Sequence, residues 1–165
     1  VPTMEMTFAM IKPNAVKYGL AGFNGAGRRF EYKGKFNGAD IYDDYAHHPD
    51  ELAATIAAVR TMEDCCRLVV AFQPHTYTRT SALFEDFVRE LGKPDVVLVA
   101  EIYAARERNT VGISSRDLVE RIPGAEYCET LRDVTQRLRQ IARPGDVILT
   151  VGAGDIYRAG EAVLR

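Results

Sequence analysis

Leu68-Val69-Val70-Ala71-Phe72-Gln73-Pro74-His75 is the stretch on which the fold turns. Its first five residues are apolar without in-and-out alternation, rich in β-branched types and bounded by a turn former. That is the signature of a strand buried on both faces, as in a parallel sheet. Two further runs repeat it, Val96-Val97-Leu98-Val99-Ala100 and Val147-Ile148-Leu149-Thr150-Val151. Helical stripes lie between and before them: Leu52, Ile56 and Val59; Leu83, Phe84, Phe87, Val88 and Leu91; Leu131, Val134, Leu138 and Ile141. Each set shares one face of a 3.6-residue period. Pro49 suits a first helical position, and Asp50 and Glu51 suit the first turn. Strand and helix in alternation imply a Rossmann-like, mostly parallel α/β sheet with helices on both faces.

The beginning of the sheet reads differently. Arg29-Phe30-Glu31-Tyr32 and Ala39-Asp40-Ile41-Tyr42 flank Lys33 to Gly38, which contains Asn37-Gly38. This predicts an N-terminal antiparallel hairpin leading into the parallel sheet. Residues 13–21 could form a short helix after Pro13, ended by glycines at 19 and 22. Residues 1–12 stay unassigned as a leader or linker, and 13–165 form one domain.

Composition bounds the function. The 165 residues are 47% hydrophobic and 27% charged, with 21 Lys and Arg against 23 acids, a net charge of −2. That balance favours neither a nucleic acid nor a membrane surface as partner. No apolar run reaches the roughly 18 residues that a bilayer span needs. Cys65 and Cys66 are adjacent and Cys128 stands alone, a pattern of reduced thiols expected of a cytoplasmic protein rather than a disulfide framework.

In an open α/β sheet, ligands bind beyond the carboxyl ends of the strands. The unusual residues of this chain collect there: Asp43-Asp44-Tyr45-Ala46-His47-His48-Pro49, Gln73 to Arg79, Ile102 to Glu107, and Gly152-Ala153-Gly154-Asp155. All three histidines fall in this set. Each segment also has a plainer reading. The aspartates could end a strand, His48 could cap the following helix, His75 and Arg79 could sit in a solvated loop, and the glycines could form a tight turn. Tyr157 stands where a dinucleotide fingerprint needs a third glycine, so NAD is not inferred. The N–H groups of the glycine turn could still meet an anion at a helix start.

In their order and spacing, Arg28-Arg29-Phe30-Glu31-Tyr32-Lys33-Gly34, Asp43 to Pro49, Phe72-Gln73-Pro74-His75 with Tyr77-Thr78-Arg79-Thr80, Ile102 to Glu107 and Gly152 to Ile156 resemble the C-terminal domain of the Mur ligases. Within that family the likeness is to the enzymes that add L-alanine to UDP-N-acetylmuramate in peptidoglycan synthesis. The resemblance implies ATP and Mg²⁺ as cofactors, both held mainly by a central ATPase domain, and a separate N-terminal UDP-binding domain. It also implies roles. Arg29 would contact the ATP phosphates, Asp44 the ribose, and His47 the nucleotide side of the cleft. His48 would line the substrate side, with His75 and Arg79 holding the amino acid. Residues 7–22 also resemble the first strand and turn of nucleoside diphosphate kinases, whose phosphorylated histidine has no counterpart motif here.

Neither Gly34-Lys35-Phe36 nor Gly92-Lys93-Pro94 completes a G-K-[ST] phosphate loop, so the chain alone is expected neither to bind ATP tightly nor to catalyse. Two other readings compete. Asp43, Asp44, His47, His48 and His75 could ligate a metal in a hydrolase, or the rim could belong to a non-catalytic nucleotide- or sugar-binding module.

Overall fold

The computed structural model describes residues 28–165; the expected helix over 13–21 and the kinase-like segment lie outside them. Six strands form a single sheet: β1 (Glu31–Phe36), β2 (Ala39–Asp44), β3 (Arg67–Phe72), β4 (Val96–Ala100), β5 (Glu126–Cys128) and β6 (Asp146–Val151). Their spatial order is β1-β2-β6-β3-β4-β5. β1 is antiparallel to β2, and every other pairing is parallel. The expected architecture is thus observed, including the leading hairpin.

The hairpin itself is longer and tighter than expected. Lys33 to Phe36 belong to β1 rather than to a loop, and Arg29 and Phe30 precede the strand. The turn is Asn37-Gly38 alone, with φ of 52° and 82°. Positive φ at both central residues matches the twist of the flanking strands. A side chain at Gly38 would meet the Pro144 backbone at 2.8 Å. A register shift between Tyr32 and Gly34 inserts the extra residue that the sequence suggested as loop.

Among the described residues six helices cover the sheet: α1 (Pro49–Arg60), α2 (Tyr77–Ala82), α3 (Phe84–Leu91), α4 (Ser115–Arg121), α5 (Leu131–Ile141) and α6 (Tyr157–Val163). The parity of each strand divides the core. Leu68, Val70 and Phe72 of β3 pack with Leu149 and Val151 of β6 beneath Leu52, Ile56, Phe87, Leu91 and Leu118 of α1, α3 and α4. Val69 and Ala71 face the other way, with Ile41, Leu98 and Ile148, beneath Val134, Leu138, Ala159 and Val163 of α5 and α6. Two buried faces explain why the strands show no alternation in sequence.

The helix starts are built into the sequence. Pro49 opens α1 after a capping box between His48 and Glu51. Thr130 with Asp133 and Ser114 with Asp117 do the same for α5 and α4, each satisfying two N–H groups that the first turn leaves unpaired. The stripe that began at Leu83 belongs to α3, and Leu83 itself breaks the helix between α2 and α3, with φ −111° and ψ 23°.

The parallel register sets the rim. Asp44 and Phe72 both lie opposite Val151, and Phe72 lies opposite Val99. The loops after β2, β3, β4 and β6 therefore leave the sheet at one level, on one edge.

Candidate active-site rim

Arg28 ties the loops after β2 and β6 together. Its Nε donates to Asp43 Oδ2 at 2.7 Å, and its terminal nitrogens donate to the carbonyls of Gly154 and Gly152 at 2.9 and 2.7 Å. The guanidinium lies over the rings of Tyr157 and Tyr45, 4.6 and 5.2 Å from their centroids. A planar fork with several donors is suited to such convergent acceptors. Asp43 is fully buried and also accepts from the Thr150 hydroxyl at 2.7 Å. Burial pushes its carboxyl above the usual range, against the Arg28 and Thr150 bonds that pull it down.

Asp44 is turned inward too. It accepts from the Phe30 N–H and the Thr55 hydroxyl, both at 2.8 Å, and from the Ala46 N–H at 3.3 Å. Burial raises its pKa despite these donors. Only the Phe30 bond engages Oδ1, which keeps a lone pair for a further donor. Arg29, one residue from Arg28, is exposed and makes no hydrogen bond or ion pair among the described residues. It lies near enough to Glu51 to help lower that carboxyl's pKa.

The loop after β2 turns on Glu51. Its Oε1 accepts from the N–H groups of His47 and His48 at 3.1 and 3.2 Å and lies 3.5 Å from His47 Nδ1. Backbone and coulombic help from His47 holds Glu51 below its ordinary pKa, against desolvation, the largest influence on it. His48 Nδ1 accepts from the Asp50 N–H, so its capping role is realised. His47 Nδ1 lies 3.1 Å from the Tyr45 carbonyl.

The loops after β3 and β4 meet in a short parallel bridge, His75 to Tyr103. Thr76 N–H donates to the Tyr103 carbonyl and Tyr103 N–H to the Pro74 carbonyl, each at 2.8 Å. His75 stacks on Tyr103 with centroids 5.6 Å apart, and the His47 ring lies 5.9 Å from His75. Arg79 reaches back one helical turn to place a nitrogen 3.0 Å from His75 Nδ1. Burial, with Arg79 and His47 nearby, keeps the His75 pKa below its usual value, Glu107 opposing. Glu107 accepts from the Tyr77 and Thr78 N–H groups at 2.7 and 3.1 Å, fixing the start of α2.

Among the described residues six other than glycine have positive φ, and five lie on or beside this rim: Arg28, Phe30, Thr76, Ala105 and Arg106. Thr76, at 67°, is β-branched, which makes that conformation costly. Strain held by surrounding structure concentrates at functional sites. The glycine turn is equally constrained. A side chain at Gly154 would stand 2.6 Å from both Gln73 Oε1 and the Tyr103 ring. Gln73 bridges the turn, donating to Asp155 and accepting from the Ile156 N–H. The turn's carbonyls face Arg28, so its part here is to anchor that side chain. Gly154→Ala is expected to cost about 2 kcal/mol by overpacking and to shift the ring resonances of Tyr103 and His75. Unchanged urea unfolding and unchanged ring shifts would contradict this.

The predicted site residues thus separate. His47, His75 and Arg79 converge, His48 stands beside them as the helix cap, Arg29 projects from the same edge, and Asp44 is held inside it. Sequence reasoning placed Arg28, Tyr45, Tyr103 and Glu107 in the rim segments and Glu51 in a first helical turn but gave none of them a site role; Tyr45 and Tyr103 are exposed at 41% and 38%. The Arg28-Arg29 doublet was a signal that one arginine points inward, without saying which. Among the described residues, no group of three His, Cys, Asp or Glu side chains is arranged to hold a metal ion. Asp43, Asp44 and His48 are each engaged in internal hydrogen bonds. No helix among them is long and apolar enough to cross a membrane. Burial raises the Cys128 thiol to about 11.

A doubly covered, mostly parallel sheet with a histidine- and arginine-bearing rim beyond its strand ends defines an α/β ligand-binding domain. The family described as "Mur ligase, glutamate ligase domain" matches residues 28–154, and the chain belongs to it. It is similar to the UDP-N-acetylmuramate–L-alanine ligase of Lachnospira eligens, 48% identical over 154 residues, covering 91% of this chain and 33% of that protein. The Caldicellulosiruptor saccharolyticus protein of the same name is 40% identical, with 93% and 34% covered. The chain therefore spans about a third of the length of these curated relatives. Among solved structures, UDP-N-acetylmuramate-alanine ligase from Thermotoga maritima superposes with a TM-score of 0.67 at 26% identity, over 87% of this chain and 30% of that one. A domain of a putative UDP-N-acetylmuramate:L-alanyl-γ-D-glutamyl-meso-diaminopimelate ligase from Haemophilus ducreyi shares the fold, with a TM-score of 0.60 at 23% identity, over 82% of this chain and 97% of that one.

Proposed function

We propose that this chain is the domain that closes over ATP and positions the amino acid in a cytoplasmic, ATP-dependent ligase joining L-alanine to UDP-N-acetylmuramate. The observation that carries the reading is the meeting of His47, His75 and Arg79 on one rim, in a chain 48% identical to a relative of that name. ATP and Mg²⁺ are held mainly by a central ATPase domain, and UDP-N-acetylmuramate by an N-terminal domain, as the family resemblance implies. ATP makes the muramyl carboxylate an acyl phosphate, which the amine of L-alanine attacks.

Each rim residue then has a task that its geometry permits. Arg29, uncommitted among the described residues, reaches the ATP phosphates across the cleft. Asp44 offers its remaining Oδ1 lone pair to the ribose. Arg79 takes the alanine carboxylate through a charge-assisted pair, with His75 beside it, and His47 and His48 line the cleft.

Alone, the chain lacks most of the nucleotide site. Micromolar affinity requires about 8 kcal/mol, whereas one charged hydrogen bond supplies about 1.5–3 kcal/mol before the cost of association is met. Calorimetry on this chain is expected to give an ATP dissociation constant well above the micromolar range; a low-micromolar value would contradict the division of labour. The activity is tested by joining residues 28–165 to the first two-thirds of the Lachnospira eligens relative. ADP release dependent on both L-alanine and UDP-N-acetylmuramate is expected, and a folded chimera without it would overturn the reading.

A further inference from the structure

The partners of each histidine Nδ1 assign its tautomer, and His47 is assigned the opposite one to His48 and His75. A guanidinium can only donate, so Arg79, 3.0 Å from His75 Nδ1, makes that nitrogen the acceptor and leaves the ring proton on Nε2. The Asp50 N–H donates to His48 Nδ1, with the same consequence. His47 is the reverse. Its Nδ1 faces the Tyr45 carbonyl at 3.1 Å, and a carbonyl can only accept. The proton therefore sits on Nδ1, and Nε2 carries a lone pair that no described residue engages. Of the chain's three histidines, His47 alone is left with an unprotonated Nε2 by these partners.

The surroundings suit a base. Glu51 Oε1 lies 3.5 Å from His47 Nδ1, and its lowered pKa keeps it ionised near neutrality. A carboxylate and a carbonyl at Nδ1 orient the ring and stabilise the imidazolium once Nε2 gains a proton, as in other nucleophile-activating pairs. The other charged or titratable groups facing His47 are Tyr45 and His75, 5.4 and 5.9 Å away between ring centroids, then Arg79 and Glu107 around His75, with Arg29 beyond Glu51.

We propose that His47 is the catalytic base that takes a proton from the ammonium group of the incoming amino acid. This rests on the ligase reading above. An ammonium nitrogen has no lone pair, so it must lose a proton before it can attack. The N–H bond breaks as an Nε2–H bond forms on His47, and the freed lone pair makes the C–N bond at the acyl carbon. The C–O bond to phosphate then breaks, and the second amine proton leaves with the departing phosphate. His75, with Nδ1 accepting from Arg79, cannot serve as this base through that nitrogen without losing the bond.

Two experiments test the assignment. In the ¹⁵N-histidine-labelled chain, long-range ¹H–¹⁵N spectra assigned with His47→Gln should show a protonated Nδ1 and a bare Nε2 for His47, and the opposite for His48 and His75. A proton on His47 Nε2 would overturn the proposal whatever the kinetics. In the chimera, His47→Gln should lower kcat for L-alanine roughly 100-fold at neutral pH, the scale of general base catalysis, with little change in KM for ATP. The deficit should narrow as pH rises towards the pKa of the amine. Hydroxylamine, largely unprotonated at neutral pH, should still be converted to hydroxamate by the variant. Loss of the hydroxylamine reaction in parallel with the L-alanine reaction would assign His47 a nucleotide-binding or structural part instead. An unsubstituted chimera that makes no product would count against the ligase reading alone.

Discussion

Arg28→Ala is expected to remove about 3 kcal/mol of folding stability near neutral pH, the lower end for breaking a buried ion pair, because Arg28 is one-fifth exposed while Asp43 is not. The loss is expected to depend on pH in a defined sense. Asp43 already has a folded pKa raised by burial, with the Arg28 bond the largest influence pulling it down. A carboxyl whose folded pKa is raised holds its proton longer in the native state than in the unfolded chain. Stability therefore falls as pH rises from about 3.8 through the folded pKa, and levels off above it. Without Arg28 that folded pKa moves higher still, so the decline continues further. The difference between variant and parent should be small near pH 4 and reach its full size only above the new pKa of Asp43. Urea unfolding at both ends of that range measures it. A deficit of equal size at both would mean that the carbonyl bonds to Gly152 and Gly154, rather than the ion pair, carry the contribution. Arg28→Lys should fall between, keeping a charge but losing the fork that reaches three acceptors.

The same residue shows where sequence reading runs out. The β3, β4 and β6 strands were legible because each is apolar throughout, and the sheet buries both their faces. Asn37-Gly38 announced a hairpin, yet not that Lys33 to Phe36 would continue as strand, since the bulge at Lys33 has no compositional mark stronger than the glycine that follows it. The edge strand Glu126–Cys128 and helix Ser115–Arg121 are three and seven residues long, shorter than any period can establish. α2 is built from Tyr-Thr-Arg-Thr-Ser-Ala, with no apolar stripe; it is held instead by Thr76 at its start and by Glu107 from another loop. The rim's existence was readable from where polar residues clustered. Its internal assignment was not, because it depends on long-range partners. Arg28 finds Gly152 and Gly154 across more than 120 residues, and Asp44 finds Phe30 and Thr55. A doublet of arginines or aspartates in sequence does not say which member turns inward.

Arg79→Ala should produce the largest substrate effect other than that at His47. A charge-assisted hydrogen bond to a carboxylate contributes about 1.5–3 kcal/mol, so KM for L-alanine in the chimera is expected to rise roughly 10- to 100-fold, with KM for ATP little changed. Geometry strengthens the expectation. Arg79 is aimed from α2 by the Thr76 cap, and one of its nitrogens is fixed by His75 Nδ1 and the His75 carbonyl at 3.0 and 3.4 Å, which leaves the rest of the fork to a ligand. Arg79→Lys would keep the charge but could not hold His75 and a carboxylate together. It should recover only part of the affinity. A second readout separates lost binding from lost folding. Desolvation is the main cause of the low His75 pKa and Arg79 the next, so Arg79→Ala should move that pKa up, followed by ¹⁵N titration of the ring. Native His75 gains its proton only at lower pH than the unfolded chain does, so its neutral form favours folding as pH rises through that interval, and the bias fades as pH falls through it. In Arg79→Ala the interval narrows. An unchanged KM for L-alanine together with an upward His75 shift would leave Arg79 a purely structural tautomer lock and remove it from the amino-acid site.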